Sequence, residues 1–79
     1  MATKLKLHET VALLKDLPRE GLRRGQVGTV VAIYKSGRCE VEFADSQGRT
    51  FALATLAPTQ LLRLAYDRTS RRGRTKLVA

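Results

Sequence analysis

The sequence predicts an all-β domain: one small, five-stranded, partly open antiparallel barrel followed by a basic tail. Three observations carry this. Arg38, Glu40 and Glu42 alternate with Cys39, Val41 and Phe43, the two-residue period of a strand with one wet and one buried face. Val27-Gly28-Thr29-Val30-Val31-Ala32-Ile33-Tyr34 is rich in β-branched residues, which fit a pleated, half-buried surface. The apolar runs are short and separated by clusters of Gly, Pro, Asp and Ser, the punctuation of hairpins rather than of helices.

The elements follow in order. Met1 to Leu7 reads as a flexible N-terminus and residues 8–67 as the barrel. Glu9 to Lys15 is a first strand, because Asp16-Leu17-Pro18 would stop a helix within two turns and so short a helix is marginal in water. Residues 16–26 carry Pro18, Gly21 and Gly25 among charges, a long exposed connection. Residues 27–34 form the longest, most central strand, with Gly28 permitting a bulge or a close backbone approach. Lys35-Ser36-Gly37 is a tight hairpin turn, and residues 38–43 run back. Asp45-Ser46-Gln47-Gly48 turns the chain again into a strand over 49–54, so strands two to four make a meander. Ala57-Pro58-Thr59-Gln60 is too short for an α-helix and has proline near its start, which predicts one 3₁₀ turn. Leu61 to Ala65 is a last strand beside the first. The barrel so assembled is SH3-like.

A chain of 79 residues holds one thin domain. It contains neither a membrane-length apolar run nor a signal-like leader, and the expected location is cytoplasmic. The formal charge of +8 is unevenly placed: residues 68–79 hold Arg68, Arg71, Arg72, Arg74 and Lys76 and no acid, leaving +3 for residues 1–67. Residues 68–79 have too few apolar side chains to offset the cost of ordering, so they read as a mobile, disordered tail.

Val11-Ala12-Leu13-Leu14-Lys15-Asp16-Leu17-Pro18, Gly21-Leu22-Arg23-Arg24-Gly25-Gln26-Val27-Gly28-Thr29-Val30-Val31, Glu40-Val41-Glu42-Phe43, Asp45, Gly48 and Leu61-Leu62-Arg63-Leu64 together resemble the bacterial family of domain of unknown function 4926. The likeness covers about His8 to Ala65. It implies an SH3-like barrel in small stand-alone proteins, some encoded beside toxin-like genes, hence an antitoxin or neutralising partner; it implies no catalytic residues. The glycine-rich approach to Val27-Gly28-Thr29-Val30-Val31 is also similar to the KOW element of ribosomal and transcription-elongation proteins. The plan is similar to that of type II dihydrofolate reductases, but their Val-Gln-Ile-Tyr segment is missing where this chain has Thr50-Phe51-Ala52-Leu53.

Catalysis needs convergent groups, and the inventory offers one His, His8, and one Cys, Cys39, with no Cys-x-x-Cys, His-x-x-x-His or phosphate-cradling loop. No cofactor, metal or small-molecule substrate is expected. Cys39 reads as a small buried hydrophobe, and Glu40 and Glu42 as a solvated strand face. Arg19, Arg23 and Arg24 are expected to form a basic patch with Lys35 and Arg38 at the neighbouring turn, or else to solubilise the loop beside Asp16 and Glu20. Among the aromatics, Phe43 and Phe51 are expected inside, and Tyr34 and Tyr66 are the two that can reach the surface, a core or rim role suiting each at least as well. Candidate binding residues are therefore Arg19, Arg23, Arg24 and Tyr34 on the barrel and Arg71, Arg72, Arg74 and Lys76 in the tail.

Three functions suit these features. The first is a non-enzymatic module whose open edge or Leu17–Gln26 loop binds another protein, antitoxin-like, or a second copy of itself. The second is a nucleic-acid accessory protein whose tail supplies affinity. The third is a subunit of an oligomeric enzyme sharing an active site.

Overall fold

The computed structural model describes residues 4–66 and 75–78. Its strands are β1 (Thr10–Leu13), β2 (Val27–Ile33), β3 (Cys39–Ala44), β4 (Thr50–Leu56), β5 (Leu61–Tyr66) and β6 (Thr75–Val78), and its two 3₁₀ turns span Pro18–Glu20 and Pro58–Gln60. All pairings are antiparallel, in the order β4-β3-β2-β1-β5-β6. The fold is the expected all-β barrel, with the meander, the pairing of β5 beside β1 and the 3₁₀ turn before β5 all as read from the sequence.

Alternation decides which side of each strand faces inward. Val11 and Leu13, Val30, Cys39, Val41 and Phe43, Ala54 and Leu56, and Leu61 form one buried cluster with Leu22 from the long loop. Side chains of β4 and β5 meet in this cluster although three strands separate them in the sheet, so the sheet wraps around its core. Among the described residues it does not close, since β4 has β3 as its sole neighbour in the sheet.

Two glycines show why the chain can bend so tightly. Gly28 faces inward opposite Phe43, and a Cβ there would lie 2.7 Å from Val41 Cγ1, 2.9 Å from the Glu42 carbonyl oxygen and 2.9 Å from Phe43 Cδ1. The backbone of β2 thus approaches β3 as closely as hydrogen does in place of a methyl. The register shift expected near Gly28 lies further along, between Val30 and Ala32. Gly37 holds φ +91° in the β2–β3 turn, where any side chain would be strained.

The segment expected as a mobile tail divides in two. Residues 68–74 and 79 lie outside the described residues, whereas Thr75–Val78 forms β6 against Arg63–Tyr66 of β5. These four residues include Leu77 and Val78, the tail's two large apolar residues, at a sheet edge that would otherwise present unpaired N–H and C=O groups.

Candidate functional site

The outer face of the meander, not the long loop, gathers the side chains best suited to a contact. Glu40 and Glu42 point outward from β3, between two apolar flanks. On the β2 side Val31 is 38% and Tyr34 47% exposed; on the β4 side Phe51 is 49% and Leu53 56% exposed. Register places Glu42 between Thr29 and Leu53, and Glu40 between Ala32 and Thr55. Neighbouring strands lie roughly 4.8 Å apart, so both flanks fall within reach of a single partner surface.

Glu40 is held in place. Its Oε1 accepts hydrogen bonds from Thr55 Oγ1 at 2.7 Å and from Tyr34 Oη at 3.2 Å. The Tyr34 hydroxyl loses that bond and faces a carboxylate if it ionises, so its pKa is raised above the ordinary phenol value. The result is a fixed negative charge at Glu40, beside Glu42 and within apolar surroundings, on a chain whose formal charge is +8. Such a face can pack against apolar groups while offering its carboxylates to cations.

The loop over residues 14–26 is ordered by its own hydrogen bonds. Leu17 and Leu22 form an isolated bridge, the Asp16 carboxylate accepts the Arg24 N–H at 2.8 Å, and the Gln26 side chain accepts the Arg23 N–H at 2.6 Å. Gly21, at φ +69°, ends the 3₁₀ turn, after which Leu22 plugs the core. Asp16, Pro18, Gly21, Leu22 and Arg23 line an open hollow of about 530 Å³. Arg19, Arg23 and Arg24 are all exposed.

The expected patch joining these arginines to Lys35 and Arg38 does not form. The loop enters β2 at Val27, whereas Tyr34 to Arg38 turn the chain beyond Ile33. A strand of seven residues separates the two groups by roughly 20 Å at 3.3 Å per residue. Tyr34 belongs with Glu40, at the far end from the loop. Arg71, Arg72 and Arg74 lie outside the described residues, and Lys76 sits in β6 opposite Ala65.

Phe51 corrects a second expectation: it is outside, not in the core. The register of β4 shifts between the partners of Phe43 and Ala44, leaving Phe51 as the extra residue of a bulge while Ala52 and Ala54 turn inward. Size favoured Phe51 for the core, but the small alanines suit a barrel wall already filled by Phe43.

Cys39 is buried as expected, and burial pushes its thiol pKa up, which disfavours the reactive thiolate. Among the described residues, no three His, Cys, Asp or Glu side chains converge on a point where they could hold a metal ion, and no helix is long and apolar enough to cross a membrane. Residues 7–63 match the family described as Domain of unknown function (DUF4926). Neither the curated proteins nor the solved structures contain a match.

Proposed function

We propose, from the premise that the chain belongs to the family Domain of unknown function (DUF4926), that it is a non-enzymatic interaction module whose outer meander face binds another protein. The supporting observation is the half-exposed apolar set Val31, Tyr34, Phe51 and Leu53 around Glu40 and Glu42. Apolar side chains concentrated on one face of a small domain mark an interaction surface. The carboxylates restrict the partner to a surface that is apolar at its centre and presents Lys or Arg opposite them. Neutralisation of a toxin-like protein by covering its surface is the specific form of this reading, and it is proposed to operate in the cytoplasm, where a free, buried Cys39 thiol is stable.

The test compares proteins captured by the wild-type chain and by Val31→Glu and Glu42→Lys variants. Both positions lie outside the core, so the fold is retained, as far-ultraviolet circular dichroism would verify. A stoichiometric partner held by the wild type and lost from both variants supports the face. Capture unchanged by either variant refutes it.

A further inference from the structure

The two edges of the sheet are treated differently. β5 is covered by the chain's own β6, while β4 has no strand on its far side among the described residues. Edge strands are ordinarily blunted by charges, proline or inward-pointing polar groups. β4 reads Thr-Phe-Ala-Leu-Ala-Thr-Leu, with no charge and no proline in seven residues. Its single protective device is the bulge at Phe51, near its start. An edge of this composition is a template for another strand.

We propose that β4 pairs antiparallel with β4 of a second copy of this chain, with the two-fold axis at Leu53. The inference goes beyond the reading above, because it concerns the edge of the strand rather than its outer face. Three observations favour a second copy over a foreign strand. The centre of the strand, Ala52-Leu53-Ala54, is symmetric about Leu53: an antiparallel two-fold there sets Ala52 against Ala54 of the second copy on the inner side and Leu53 against its own counterpart outside. Over this unbulged centre inward residues meet inward residues, the condition that fixes register.

Side-chain size fits as well. The alanine pairs leave room for close approach beside two filled cores, and the exposed Leu53 and Phe51 gain cover, Phe51 lying diagonally from the opposing Leu53 within reach of its ring. Charge permits the contact. The chain is +8 and two copies repel, yet the hairpin from Arg38 to Leu56 contains Arg38 and Arg49 against Glu40, Glu42 and Asp45, a net −1. Contact through β4 therefore joins the least positive part of each molecule. An isologous pairing of this kind closes on itself as a dimer and leaves no β4 edge free to grow a fibre.

Sedimentation equilibrium on the full chain over a wide concentration range gives the first test, and the expected species is a dimer of twice the chain mass. Leu53→Lys places two ammonium groups opposite each other on the axis and should weaken dimerisation by about tenfold or more, with an unchanged circular dichroism spectrum because Leu53 is outside the core. Leu53→Cys should form a disulfide-linked dimer under mild oxidation, whereas the wild type, whose Cys39 is buried, should not. A strict monomer at millimolar concentration overturns the proposal, as does a dimer indifferent to Leu53→Lys, or higher aggregates without a dimer. Val31→Glu, which tests the partner face on β2, away from the β4 edge, should leave the dimer intact, so the two readings fail separately.

Discussion

Gly28→Ala tests the packing on which the whole barrel turns. The added methyl would stand 2.7 to 2.9 Å from Val41 Cγ1, the Glu42 carbonyl oxygen and Phe43 Cδ1, where ordinary contact begins at 3.4 Å. The shortfall is about 0.5 to 0.7 Å on three sides. Val41 and Phe43 are fully buried core side chains, and the third neighbour is backbone in the adjacent strand, so none can move without disturbing the core or the β2–β3 ladder. Overpacking of this degree costs about 1–3 kcal/mol. Removing a strand glycine returns roughly 0.5–1 kcal/mol through the unfolded chain. The net loss is therefore about 1–2 kcal/mol, equivalent to a Tm lower by roughly 5–15 °C for a domain of this size. Thermal unfolding followed by far-ultraviolet circular dichroism measures it. Val41→Ala removes one of the three clashes, so the double variant should lose less than the sum of the two single losses. A Gly28→Ala Tm equal to that of the wild type, or strict additivity with Val41→Ala, would refute the close-approach argument.

Other consequences concern single groups. The Asp45 carboxylate accepts the Arg49 backbone N–H at 3.0 Å, the Gln47 N–H at 2.8 Å and the Arg49 side chain at 3.2 Å, and chiefly the first of these lowers its pKa. A carboxyl whose folded pKa is depressed stabilises the fold above its unfolded value and loses that contribution as pH falls through the folded one; Tm measured from neutrality to below pH ~4 should therefore drop less steeply in Asp45→Asn than in the wild type. In a Tyr66→Phe background, Glu40→Gln removes the charge beside Tyr34, and the tyrosinate absorbance should appear at lower pH; an unmoved midpoint would show that the bond is not formed in solution. Truncation before Thr75 uncovers the β5 edge, so amide exchange should quicken over Arg63–Tyr66 and not over Val30–Val41. Equal exchange in both lengths of chain would mean that β6 does not pair.

Much of the architecture was legible because it rests on local chemistry. Cys39, Val41 and Phe43 announced a buried row by period alone, and all three are core. Asp45-Ser46-Gln47-Gly48 and Lys35-Ser36-Gly37 announced their turns through glycines that hold positive φ at Gly48 and Gly37. The candidate face was less legible. Tyr34 was read as exposed or as part of the core or rim, with the choice left open, and its tie to Glu40 depends on the β2–β3 bulge after Val30, which no periodicity marks in advance.

The sequence by itself determined that this chain would be a small all-β barrel with its meander, its short turns and a basic end, since strand period, β-branched content and turn residues act over a few neighbouring positions. Tertiary structure decided that Phe51 and Leu53 face outward while Ala52 and Ala54 face the core, that the loop arginines and the Lys35 turn lie at opposite ends of β2, and that, among the described residues, Thr75–Val78 covers one edge while β4 stays open. The physical reason is that each depends on residues far apart in the chain. For the first, a one-residue change of register reverses every side chain, and which register holds depends on how much volume the opposing wall of the barrel has already filled; the other two follow from the length of β2 and from the pairing of β6 with β5.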